Sequence, residues 1–170
     1  MDSDALKALQ APLKDRYKGD PEAALITLSA RGRLDDQEIA CNVETGRALA
    51  KAGLHPATGG DGLALCSGDM LLEALVACSG VTLKAVATAL NLKLDEGLVE
   101  AEGLLDFRGT LGVDKAAPVG FSKISLKFTI KGDISEEERA TLLKLTERYC
   151  VVLQTLKGNP TLDTVLTVAA

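Results

Sequence analysis

One stretch limits what this chain can fold into more than any other. Residues 67–92, SGDMLLEALVACSGVTLKAVATALNL, carry charge only at Asp69, Glu73 and Lys84, so a helix formed there is apolar nearly all round. Such a helix has to be enclosed by other elements. Ser67 or Asp69 can cap its first turn, which otherwise leaves backbone N–H groups unpaired, and Asn91 is placed to stop it. Its length raises the question of a membrane span, but Glu73, Thr82, Lys84 and the many small residues favour a buried helix outside any membrane. Near its middle stands Cys78, followed by Ser79 and Gly80, a small pair that permits close packing or a bend.

The flanking segments carry the patterns needed to enclose that helix. From Ala24 the period is two, with Ala24, Ile26, Leu28 and Ala30 on one face and Thr27, Ser29, Arg31 and Arg33 on the other. Residues 34–37 turn the chain, and Ile39, Cys41 and Val43 alternate on a returning strand. Between Glu44 and Cys66 the periodicity disappears and Gly53, Pro56, Gly59, Gly60 and Gly62 predict a loop. Beyond the long helix, Val99, Ala101, Leu105 and Phe107 alternate with Glu100, Glu102, Asp106 and Arg108. Ile124, Leu126, Phe128 and Ile130 then alternate with polar residues in the cleanest strand pattern of the chain. Ser135 and Glu138 have the spacing of a capping box and open a second helix, in which Leu142, Leu145, Tyr149 and Leu153 recur with Cys150 beside them. Gly158-Asn159-Pro160 ends it, and residues 162–168 predict a closing strand.

Residues 3–14 predict a short amphipathic helix ended near Pro12, with a turn at Gly19-Asp20-Pro21. Residues 1–22 thus read as a peripheral segment and residues 23–170 as a single domain. The order predicts an α+β fold, an antiparallel sheet with two main helices gathered on one face. At 170 residues and 46% hydrophobic content the chain can build one substantial core. A single sheet leaves one side of the central helix bare, which predicts a homodimer with the two central helices buried together. A net charge of −5, a 3% aromatic fraction and no tryptophan argue against nucleic acid and anionic lipid as partners. The first residues lack the basic-then-apolar order of a signal peptide, which predicts a cytoplasmic protein.

The chemistry turns on four cysteines, Cys41, Cys66, Cys78 and Cys150, which in a reducing compartment remain thiols. Cys41 alternates with apolar neighbours and reads as a small core residue, and Cys66 at a loop-to-helix junction has no evident partner. Their intervals are far longer than the C-x₂₋₄-C of structural zinc sites, and the single histidine, His55, falls in the glycine-rich loop as a solvated side chain. Metal binding and Cys–His hydrolysis are therefore poorly provided for. Thiol redox chemistry remains. An ordinary thiol with a pKa near ~8.5 is only slightly ionised at neutral pH, so it needs a neighbouring cation. Arg31 and Arg33 are the candidates, and a carboxylate would in turn hold the arginine.

Taken together, Leu75-Val76-Ala77-Cys78 in the long apolar helix, Tyr149-Cys150-Val151-Val152 late in the chain and the strand order around them resemble the OsmC/Ohr family of osmotically induced and organic hydroperoxide resistance proteins. The resemblance covers residues 26–168. It implies an intertwined dimer, two central helices wrapped by sheets from both chains, with active sites at the subunit interface. It implies a peroxidase in which Cys78 attacks the peroxide, Cys150 resolves the product as a disulfide, and Arg33, with Arg31 as near neighbour, activates the thiol. No cofactor is implied, and the reductant is an external dithiol or a lipoyl-bearing protein. Three positions depart from the family pattern: Gly68 replaces the acidic residue, with Asp69 one position on as the arginine's carboxylate; Val151 replaces proline; and Ser79 replaces an aromatic, implying a differently shaped pocket. A reading from another class is a non-catalytic dimer that binds an apolar small molecule or senses oxidants through Cys78.

Overall fold

The structure, a computed structural model, describes residues 2–19, 31–34, 40–44, 49–112 and 114–168, without the side chains of residues 9, 13–19, 31–34, 40–44 and 49. The predicted strand residues 24–30 and the turn at 35–37 lie outside the described residues.

Helix α2 (Ser67–Ala89) is the long apolar helix, and the other elements are disposed around it. Its cap is not the one predicted: the N-cap residue is Cys66, which makes no side-chain cap bond, while Ser67 and Asp69 lie within the first turn. There Asp69 still complements the positive end of the helix dipole. The stop is as predicted. Asn91 takes a left-handed φ of 57°, which asparagine tolerates better than most residues. Its N–H donates to the Thr88 carbonyl at 3.1 Å and that of Leu92 to Ala87 at 2.8 Å, the paired bonds that close a helix at a left-handed residue. Leu75, Ser79, Leu83 and Ala87, four residues apart, form its buried face. By length and composition α2 could cross a membrane. In this fold it packs instead against strands and helices of its own chain.

Ahead of α2, β1 (Arg31–Leu34), β2 (Ala40–Glu44) and β3 (Leu49–Gly53) form an antiparallel set, and β4 (Leu65–Cys66) joins β3 in parallel. The stretch predicted as one loop therefore contains a third strand, a 3-10 turn at Pro56–Thr58 and β4. Leu-Ala-Lys-Ala-Gly has little strand character of its own; β3 exists because β2 offers it a ladder, Cys41 opposite Ala52 and Val43 opposite Ala50.

After α2, β5 (Glu96–Leu105) and β6 (Phe121–Lys131) pair antiparallel in a separate two-stranded sheet, so the strands form two sheets rather than one. The alternation predicted for β6 holds, with Ile124, Leu126, Phe128 and Ile130 turned inward. On the wet face, directly opposed pairs add ion bridges, Lys131 to Glu96 at 2.6 Å and Lys127 to Glu100 at 3.3 Å. Phe107 is not a strand residue. Asp106 accepts from the Arg108 N–H at 3.0 Å and starts a one-turn helix, α3 (Phe107–Thr110).

Helix α4 (Glu136–Tyr149) opens on the predicted capping box, the Ser135 N–H donating to Glu138 at 2.8 Å and the Glu138 N–H to Ser135 at 3.2 Å. Leu142 from α4, Leu83 and Ala87 from α2, and Phe128 and Ile130 from β6 meet in the core. The second helix does not run on through Leu153 as expected. It breaks at Cys150, whose φ of −73° and ψ of 107° are extended, and resumes as α5 (Val151–Lys157). Residues 162–168 form no strand within the chain, and Leu162, Val165, Leu166 and Val168 stand exposed. Helix α1 (Ser3–Gly19) runs through Pro12 instead of ending there, is capped by the Asp2 carboxylate accepting from Ala5 at 2.8 Å, and lies against α2.

Candidate active site

The break at Cys150 shapes the site. Because α4 packs along α2, Cys150 at its end is carried to the level of Cys78, close enough for each thiol to influence the other's ionisation. Cys150 is fully buried and Cys78 half-buried, and both are free thiols. Had the helix continued, the amides after Cys150 would be turned into intrahelical bonds. Restarting the helix leaves the N–H groups of Val151 and Val152 without intrahelical acceptors, and both reach the Cys78 sulfur.

These contacts divide the two thiols. For Cys78, burial pushes the pKa up, but the Val152 N–H, the Cys150 thiol, the Val151 N–H and the Thr82 hydroxyl outweigh it, and the net shift is downward from the ordinary cysteine value. For Cys150, burial is the leading cause and pushes it up; the Leu153 amide opposes, while the neighbouring Cys78 raises it further. Cys78 is thus the more readily ionised of the two thiols and Cys150 the less. Two like groups set apart in this way can act in sequence, one as nucleophile and the other as reserve.

Of the four residues predicted for catalysis, Cys78 and Cys150 are the two that the described side chains bring together. Asp69 precedes Cys78 by nine positions on the same helix, which is about 13.5 Å of helical rise. Asp69 therefore cannot touch its own chain's thiol. Arg33 and Arg31 lie on β1, paired through the backbone with Asn42 and Glu44, and their guanidinium groups are outside the described residues. Cys41 likewise has a described backbone, opposite Leu34 and Ala52, but no described side chain. Ser79 is fully buried, and its hydroxyl donates to the Leu75 carbonyl of its own helix at 2.7 Å. His55 is not merely solvated. Its Nδ1 accepts from the Ala57 N–H at 3.0 Å and its ring stacks on Phe107 at 4.9 Å between centroids.

The residues missed from sequence are Val151, Val152 and Thr82. Thr82 could have been found, since it follows Cys78 by one helical turn, and its hydroxyl donates to the Cys78 carbonyl at 2.8 Å. The two valines act through backbone amides that only the break exposes. Among the described residues no cluster of three or more histidine, cysteine, aspartate or glutamate side chains could hold a metal ion.

This geometry makes a specific expectation. Proline fits the first helical position, so Val151→Pro preserves α5 while deleting one N–H that reaches Cys78. Loss of a donor to the charged form raises the thiol pKa, so alkylation of Cys78 by iodoacetamide near neutral pH is expected to slow by a factor of about 3–10 and its pH profile to move to higher pH. An unchanged profile in a folded variant would show that the amide does not stabilise the thiolate.

Comparison with known proteins places the chain and its fold. A family model described as OsmC-like protein matches residues 59–165. The OsmC-like protein of Mycoplasma pneumoniae superposes with a TM-score of 0.64 at 19% identity, covering 78% of this chain and 89% of that one. An organic hydroperoxide resistance protein OsmC from Legionella pneumophila gives 0.61 at 17% identity, covering 79% and 93%. The organic hydroperoxide resistance protein OhrB of Bacillus subtilis gives 0.52 at 18% identity, covering 78% and 93%. No curated protein matches the chain significantly in sequence.

Proposed function

Because the chain belongs to the OsmC-like protein family, we propose that it is a thiol-dependent peroxidase that reduces organic hydroperoxides through Cys78 and Cys150. The observation that carries this reading is that the break between α4 and α5, packed on α2, sets the buried Cys150 beside Cys78. The Cys78 thiolate attacks the peroxide O–O bond; an S–O bond forms, the O–O bond breaks, and the departing alkoxide takes a proton and leaves as the alcohol. Cys78 is oxidised to a sulfenic acid and the peroxide is reduced. The Cys150 thiol then attacks the sulfenic sulfur, forming the S–S bond and releasing water. An external dithiol, free or lipoyl-borne, exchanges with the disulfide and restores both thiols. No bound cofactor takes part.

The working unit in this reading is a cytoplasmic homodimer. On α2, Leu71, Ala74, Ala77 and Val81 form an exposed apolar stripe beside the buried one. Residues 162–168 hold four bare aliphatic side chains, and among the described residues no further strand pairs with the edges of the two-stranded sheet. A second copy covers all three. The dimer also answers the distance between Asp69 and Cys78: in this reading Asp69, in the first turn of α2, and Arg33, on β1, serve Cys78 across the interface. Residues 1–22 are a peripheral addition to one domain of residues 23–170.

The test is consumption of cumene hydroperoxide and of hydrogen peroxide with dithiothreitol as reductant. Catalytic turnover, faster with the organic peroxide, is expected. Absence of turnover from a reduced, folded dimer with either monothiol or dithiol reductants would overturn the reading in favour of a redox sensor or binding protein.

A further inference from the structure

The contact between α2 and α4 holds a polar group that the mechanism above leaves unused. Leu142, Thr146 and Cys150, four residues apart, are all fully buried on one face of α4 and its end. Leu142 meets Leu83 and Ala87 of α2 in the core, whereas Cys150 lies beside Cys78. The two helices therefore run antiparallel, and Thr146, midway between Leu142 and Cys150, stands at the level between Cys78 and Leu83.

The Thr146 hydroxyl finds no hydrogen-bond partner among the described residues. On the facing helix the hydroxyls of Ser79, Thr82 and Thr88 each donate to the carbonyl four residues back, at 2.7, 2.8 and 2.8 Å. Thr146 makes no such bond to Leu142. A buried hydroxyl left unpaired destabilises a fold, and valine has nearly the same shape without that penalty. An orphan of this kind marks a group whose partner appears in another state of the site.

The thiol pair has such a state. To close a disulfide, Cys150 must release its proton inside a fully buried site, where a bare thiolate is disfavoured. Its attack on the Cys78 sulfur is in line, so the leaving group departs on the far side, away from Cys150. The Val151 and Val152 amides act on Cys78, and the Leu153 amide on Cys150. Thr146 is on Cys150's side. The Cys150 N–H still donates to the Thr146 carbonyl at 3.0 Å, so the two side chains keep the spacing of successive helical turns, about 5–6 Å between Cβ atoms. Threonine uses two χ1 wells in a helix, and rotation about that one bond swings the hydroxyl toward the sulfur.

We propose that the Thr146 hydroxyl is the donor that stabilises the Cys150 sulfur as it ionises and attacks Cys78. The inference rests on Cys150 being the resolving thiol and deepens that reading. In the step the S–S bond forms and the bond from the Cys78 sulfur to its leaving group breaks. The Cys150 proton leaves with the departing oxygen as water, and Thr146 keeps its own.

The test loads Cys78 without peroxide. With dithiodipyridine, the Cys78 thiolate takes up one thiopyridyl group and releases one thiopyridone; attack by Cys150 then expels the second, its proton going to the thiopyridone. The kinetic phase lost in Cys150→Ser is the resolving step. Thr146→Val is expected to slow that phase by about 10-fold, to leave the loading of Cys78 unchanged, and to melt no lower than the wild type, while Thr146→Ser, which restores the hydroxyl, stays within about 3-fold of it. The proposal is overturned if Thr146→Val resolves at the wild-type rate, if Thr146→Ser is as slow as Thr146→Val, if loading slows equally, if Thr146→Val melts lower, or if the wild type has no phase that depends on Cys150. A wild type that resolves the mixed disulfide as expected and yet makes no alcohol from cumene hydroperoxide counts against the peroxidase reading alone.

Discussion

Replacing Cys78 with serine is expected to lower peroxide turnover by at least about 10³-fold, because a serine hydroxyl at neutral pH is not ionised and hydrogen bonds from the Val151 and Val152 amides cannot make it so. Cys150→Ser separates the two steps. Cys78 retains its amide donors, so the first attack survives and one equivalent of alcohol appears in a burst. The sulfenic acid then has no resolving thiol, and the steady rate is expected to fall by about 10-fold or more, to whatever direct attack by the added dithiol sustains. A sulfenic-acid trap such as dimedone should label Cys150→Ser after one equivalent of peroxide and leave the wild type, which closes its disulfide, largely unlabelled. Turnover that persisted in Cys78→Ser would remove Cys78 from the mechanism.

Val81→Glu is expected to dissociate the dimer while leaving the chain folded. Val81 is 72% exposed on the single chain, so the substitution disturbs no internal packing. In the proposed dimer it lies on the apolar stripe between the two central helices, where an unpaired buried charge costs about 3–5 kcal/mol. Symmetry places the glutamate on both sides of the interface, and the dimer Kd should rise by roughly 10²–10³-fold or more. Sedimentation velocity should show the wild type as a dimer and the variant as a monomer with an unaltered far-UV spectrum. Peroxidase activity should fall with it, since in the proposed dimer Arg33 and Asp69 serve Cys78 across that interface. A monomeric wild type, or a variant that remains dimeric, would refute the proposed interface.

Features governed by near neighbours were legible in the sequence. The long apolar helix, its stop at Asn91, the alternation of Ile124 to Ile130 and the capping box of Ser135 and Glu138 each follow from a few residues whose preferences agree. Where the reading failed, a local preference was weak and a distant partner supplied the energy. Leu49–Gly53 becomes a strand only against β2. Residues 162–168 alternate like a strand but find no ladder in their own chain. Tyr149 to Leu153 keep helical spacing across a break that no residue announces.

The site divides along the same line. The sequence by itself determined which side chains could do thiol chemistry, since residue type and helical placement singled out Cys78 and Cys150 with one histidine in the chain. Only the tertiary structure decided which thiol is the more readily ionised, because backbone amides are the same in every residue and carry no sequence signal until the fold turns them onto a particular sulfur. It also separated Asp69 from Cys78, since a straight helix holds residues nine positions apart at a distance no side chain spans.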